Sequence, residues 1–151
     1  MTTNTFFLAL PALLVATVSA AEKPVKMDSL PPAVRKTVQE QSKGASIRGL
    51  SQEIEDGNTF YEAELKINGG NQDVLIDPNG SVVEIEEEVS FDSLPAAVKD
   101  AIRKRAAMGR IVLAELVSKN GSPVAYEAKI KTAGKVSEVR INPGGSPTKE
   151  P

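Results

Sequence analysis

The sequence predicts an α+β fold of two tandem units, each an N-terminal helix packed on an antiparallel meander of three to four strands. Three observations carry the prediction. Met27-Asp28-Ser29-Leu30-Pro31-Pro32-Ala33-Val34 returns 64 residues later as Phe91-Asp92-Ser93-Leu94-Pro95-Ala96-Ala97-Val98, and Tyr61-Glu62-Ala63-Glu64-Leu65-Lys66 returns 65 later as Tyr126-Glu127-Ala128-Lys129-Ile130-Lys131. Within each copy the apolar period changes from 3.6 to 2. Turn residues then punctuate the period-2 stretches, with Asp77-Pro78-Asn79-Gly80 echoed by Asn142-Pro143-Gly144-Gly145.

Residues 1–20 are set apart from the fold. Phe6 to Val18 is almost continuously apolar and is followed by Ser19-Ala20, small residues suited to signal-peptidase cleavage. A run of this length, interrupted by Pro11, is shorter than the roughly twenty residues a bilayer span needs. A secretory signal peptide is expected, although Met1 to Thr5 carries no Lys or Arg. The processed chain is then secreted or periplasmic, with no stable membrane anchor. Residues 21–26 read as a flexible start.

The first unit spans 27–89. Leu30, Val34 and Val38 recur at helical spacing, with Asp28-Ser29 placed to cap and Pro31 in the first turn. Strands are expected over Ala45–Ile54, Phe60–Ile67, Asp73–Ile76 and Ser81–Val89, joined at Asp56-Gly57-Asn58, Asn68-Gly69-Gly70-Asn71 and the Asp77 turn. The second unit, 90–145, repeats the plan. Leu94, Val98 and Ile102 mark its helix, and its strands are expected over Arg110–Val117, around Tyr126–Lys131 and over Val136–Ile141. It lacks a fourth strand, because 146–151 holds two prolines and no apolar residue and reads as a disordered tail. Gly44 and Gly109 are the expected helix terminators.

Leu-Pro-x-x-Val at a helix start, Asp-Gly followed by Tyr-Glu-Ala-Glu-Leu, and Asp-x-x-Gly before a Val-rich strand resemble the PepSY and PepSY-like family. Those residues are Leu30-Pro31, Val34, Asp56-Gly57, Tyr61 to Leu65, Asp77, Gly80 and Val82-Val83-Glu84-Ile85. The second half matches at Leu94-Pro95, Val98, Tyr126 to Ile130 and Gly145, and departs at Asn142. The resemblance implies an exported bacterial protein, in a family some of whose members restrain secreted proteases. The tandem arrangement is also similar to the β-lactamase-inhibitory-protein-like architecture, an analogy of fold that does not carry function with it.

The chain has no His and no Cys, which removes the commonest general base, thiolate nucleophiles, disulfides and the usual zinc ligands. No Ser sits in a Gly-x-Ser-x-Gly elbow. Glu62 and Glu64 could share acid–base work, but i, i+2 carboxylates are also the ordinary content of a solvated strand face. No catalytic residue, cofactor or metal is therefore expected. Asp77 to Ser81 fits a turn better than a calcium loop, since its glycine comes two positions early for an EF-hand. The run Glu84-Ile85-Glu86-Glu87-Glu88 is expected to be a solvated strand end that discourages edge pairing; weak ion or partner binding is the alternative.

Charge divides unevenly. Residues 22–88 carry seven Lys or Arg against fourteen Asp or Glu, and 89–151 carry eleven against six. Steering of a partner or attraction between the halves would follow. With no long basic run, nucleic acid is not expected. Tyr61 and Tyr126 fall on the apolar parity and are expected in the core. The candidate partner-binding residues are those of opposite parity: Phe60, Glu62, Glu64, Lys66, Glu127, Lys129 and Lys131. The functional expectation is an exported non-enzymatic module contacting another exported or envelope protein through this wet face, a contact that could restrain or inhibit a secreted or envelope enzyme. The alternative is an envelope sensory or structural protein that binds metal ions or surface ligands through its acidic first half.

Overall fold

The computed structural model describes residues 22–148. The expected signal peptide and residues 149–151 of the tail lie outside the described residues. In chain order the elements are β1 (Lys23–Pro24), α1 (Pro32–Gln41), β2 (Ser46–Glu55), β3 (Asn58–Ile67), β4 (Gly70–Ile76), β5 (Val82–Glu88), α2 (Ala96–Ala106), β6 (Arg110–Lys119), β7 (Ser122–Thr132) and β8 (Lys135–Ile141).

The expected fold class needs correction. The strands do not form two meanders, each with its own helix. They form one eight-stranded antiparallel sheet in the order β1 to β8, curled into a half-barrel, with only two helices laid on it. The join is β5 with β6, where Glu86 faces Val117 and Glu87 faces Leu116. Two causes favour one sheet. A last strand left at an edge presents unpaired N–H and C=O groups that the next strand can satisfy, and a unit of about 60 residues buries too little surface to stand securely alone. Right-handed strand twist accumulated over eight strands curls the sheet.

The individual strands lie close to where period and turn chemistry place them. Asp56-Gly57, Asn68-Gly69, Asn120-Gly121 and Ala133-Gly134 each have positive φ at both residues, the two-residue hairpin geometry that matches strand twist. That geometry fixes register, and register fixes which side chains share a face. Residues 21–26, read as a flexible start, include β1, which pairs with Ser51 and Gln52. In the tail, Pro147 bridges Ile141, and the Thr148 N–H donates to the Arg140 carbonyl.

Both helices begin later than expected. A 3-10 turn, Met27–Ser29 or Phe91–Ser93, precedes each, and Leu30 and Leu94 are extended. A residue before proline is disfavoured in the α region, so the helices start only beyond Pro31 and Pro95. Gly44 follows α1 with positive φ, whereas α2 ends on Ala107, which takes positive φ itself.

The core lies on the face covered by the helices. Leu30, Val34 and Val38 pack with Ala63, Leu65, Val74 and Ile76, and Leu94, Val98 and Ile102 pack with Ala114, Ala128 and Ile141. Tyr61 and Tyr126 join these clusters as partly buried residues.

Candidate functional site

Strand alternation sends the remaining side chains to the other face. From β3 come Phe60, Glu62, Glu64 and Lys66, and from β7 come Glu127, Lys129 and Lys131. Register carries the same parity across the sheet. Glu62 faces Ser51 and Leu75, Asp73 faces Glu64 and Glu86, Leu75 faces Glu84, Glu115 faces Glu127, and Arg140 faces Glu127.

This face is not simply wet, which corrects the expectation of a solvated strand face. Glu127 and Glu84 are each 2% exposed and Glu115 is fully buried, with Val117 and Ala125 buried beside them. Curling turns the face inward, so side chains from distant strands shield one another. The run Glu84–Glu88 is corrected for the same reason. Its strand, β5, is central in the sheet, so Glu84 and Glu86 project into the concave face and only Glu87 and Glu88 are exposed.

Of the expected site residues, Glu62, Glu127 and Lys129 line one small cavity on this face, of about 60 Å³, together with Asp73, Glu84, Glu86, Glu138 and Arg140. Phe60, Glu64, Lys66 and Lys131 do not line it. Lys66 Nζ instead donates to Asn71 Oδ1 at 3.2 Å, and Lys131 is exposed. Sequence reading missed Asp73, Glu115 and Arg140, and took Glu84 and Glu86 for a solvated strand end with ion or partner binding only as the alternative. Hairpin register propagated from Glu62 through the two-residue turns would have put Asp73, and then Glu86, on the same face.

Three cations reach these carboxylates. Arg140, only 7% exposed at its side chain, reaches Glu84 at 2.7 Å, Glu86 at 2.5 Å and Glu127 at 3.1 Å. Lys129 Nζ stands 3.5 Å from Glu138 and 3.9 Å from Glu115. At one end, Lys119 adds a contact to Glu84 at 3.3 Å.

Positive charge falls short of negative, and proton affinity records the deficit. Burial, reinforced by Asp73, Glu22 and Glu53, pushes Glu62 up to about 9. Burial pushes Glu115 up to about 7 against the pull of Lys129. Burial also raises Asp73 and Glu86, with Glu127 adding to Glu86 and Arg140 opposing. Although burial works against its charge, the carboxylates Glu115, Glu138 and Asp73 hold the Lys129 ammonium above its ordinary range.

No family model matches the chain, and no curated protein does. Solved structures do. The chain is similar to a candidate periplasmic protein from Bacteroides eggerthii (18% identity, 80% of this chain and 86% of that one, TM-score 0.57). It is also similar to a DUF2874 family protein from Bacteroides ovatus (21%, 81% and 86%, TM-score 0.55). A BLIP-like protein from Bacteroides fragilis aligns more loosely (19%, 79% and 83%, TM-score 0.48). At these identities the likeness shows a shared fold. The PepSY likeness of the motifs remains a resemblance. Among the described residues no helix is long and apolar enough to cross a membrane.

Proposed function

We propose that this chain is an exported, non-enzymatic binding module, and that the carboxylate-lined face of its sheet is the surface that receives another exported protein. The observation that carries this is charge imbalance on a concave face. Around the cavity, Glu53, Glu55, Glu62, Asp73, Glu84, Glu86, Glu127 and Glu138 surround two cations, Lys129 and Arg140. A surface so arranged attracts a partner offering lysine or arginine, speeds encounter, and rejects acidic surfaces. Phe60, half-buried at the margin of the same face, supplies an apolar contact beside the charge. The cavity is far below the roughly 300–1,000 Å³ of small-molecule pockets, which favours contact across the face over capture of an organic ligand. The absence of His and Cys supports a role without catalysis.

Photo-crosslinking in the exported fraction tests the reading. A crosslinker at Phe60 or Glu64 should give a discrete adduct whose yield falls as salt rises, while one at Lys36 or Asp100 on the exposed helix surfaces should not. Adducts from the helix positions alone would move the binding surface to the other side of the molecule.

A further inference from the structure

We infer that Asp73, Glu86 and Glu115 form a binding site for a hard divalent cation where β4, β5 and β6 adjoin in the middle of the sheet. One carboxylate oxygen from each lies within 4.8 Å of those of the other two. Oxygen ligands sit about 2.3–2.6 Å from Ca²⁺, so two on opposite sides of one ion are separated by roughly 5 Å, and three at this spacing can share it.

Acidic residues gather on many protein surfaces without binding anything, so the cluster alone would not single out a ligand. Glu115 does. It is fully buried, it projects into the cluster, and neither of its oxygens has a hydrogen-bond partner. The nearest cation, Lys129 Nζ, stands at 3.9 Å, beyond hydrogen-bond reach. Buried carboxylates are ordinarily paired or bound to metal, and an ion at the cluster would meet that requirement. Lys129 need not move far to admit it, because Glu138 already holds its ammonium at 3.5 Å. Glu86 Oε1 accepts from the Arg140 guanidinium, and its second oxygen can turn to an ion.

The donor set selects the metal class. With no His or Cys in the chain, every ligand is oxygen, which suits Ca²⁺, Mg²⁺ or Mn²⁺ and not the softer zinc or copper. The adjoining cavity of about 60 Å³, which Asp73 and Glu86 line, has room for an ion with a water or two. This site goes beyond the partner reading and does not depend on it.

Calorimetric titration of the metal-stripped processed chain with CaCl₂, MgCl₂ and MnCl₂ tests the site. At least one salt should bind saturably at one ion per chain. Glu115→Gln should weaken that binding at least tenfold, and Lys129→Met, which removes the competing charge, should strengthen it. Circular dichroism checks that each variant is folded. If Glu115→Gln does not fold, Asp73→Asn, at a partly buried position, takes its place with the same expected loss. Absence of saturable binding by all three ions, or binding that the folded carboxylate variants leave unchanged, would overturn the site.

Discussion

Arg140 is the residue on which the concave face turns. Its guanidinium is almost wholly buried and serves three carboxylates from two other strands, Glu84 and Glu86 on β5 and Glu127 on β7. Replacing a whole buried ion network with apolar groups is often harmless, but removing one partner strands the others. Arg140→Met keeps much of the side-chain volume and deletes the charge, leaving three crowded anions. We expect a loss of about 3–5 kcal/mol, a large share of the roughly 5–15 kcal/mol that holds a domain together. Urea denaturation at pH 7.5 measures it. A loss under about 1 kcal/mol would mean that the carboxylates dispose of their charge by taking up protons. The double variant Glu84→Gln, Glu86→Gln should recover part of the loss, because it removes the stranded charge.

At the scale of elements, helices are tied to the sheet by the Asp-x-x-Gly turn. Asp77 Oδ1 accepts from the N–H groups of Asn79 and Ser81, both at 2.9 Å, and Asn142 Oδ1 does the same for Gly144 and Ser146 at 3.0 Å. Asn in place of Asp at 142 therefore preserves the turn, since only the side-chain oxygen is needed. Gly80 lies at φ +87, and a Cβ there would come within 2.8 Å of the Ala33 carbonyl of α1. Thr37 Oγ1 donates to the Gly80 carbonyl at 2.6 Å, closing the contact from the helix side. Gly80→Ala should cost about 2 kcal/mol or more, combining left-handed strain with a backbone clash. A fall in the melting midpoint without loss of the sheet's far-UV signal at 20 °C is the expected readout; an unchanged midpoint would show that α1 can withdraw from the turn. Elements of this kind were legible in the sequence, because period, proline and turn residues act over a few positions. The strands around Tyr61 and Tyr126 and the Asp77 turn were read from such signals. What was not legible was the pairing of β5 with β6, which no local signal specifies, and with it the curl that buries Glu115, Glu127 and Glu84. Parity correctly placed Glu62, Glu127 and Lys129 opposite the core, but solvation of that face depends on sheet curvature, a property of all eight strands together.

At the scale of the molecule, the uneven division of charge works inward. The acidic half supplies Glu84 and Glu86, the basic half supplies Arg140 and Lys119, and these meet across the concave face. Ion pairs thus join the two halves across the curled sheet, yet they leave a surplus of buried carboxylates. That surplus sets an unusual dependence on pH. An ordinary Glu titrates near 4.5, whereas Glu115 is held up to about 7 and Glu62 up to about 9, in both cases chiefly by burial. Between those limits the folded chain retains protons that the unfolded chain has released, and stability falls wherever the native state binds more protons. The contribution is full below about pH 4.5 and is lost as pH rises through 7 toward 9. The metal-free protein should therefore be more stable at pH 5 than at pH 8.5, with a midpoint lower by roughly 5–10 °C at the alkaline end. Glu115→Gln, which removes one of these protons from the balance, should gain most relative to the parent above pH 7 and little at pH 5. A parent midpoint that rises from pH 5 to 8.5 would mean that burial does not hold protons on these carboxylates and that they are ionised within the fold.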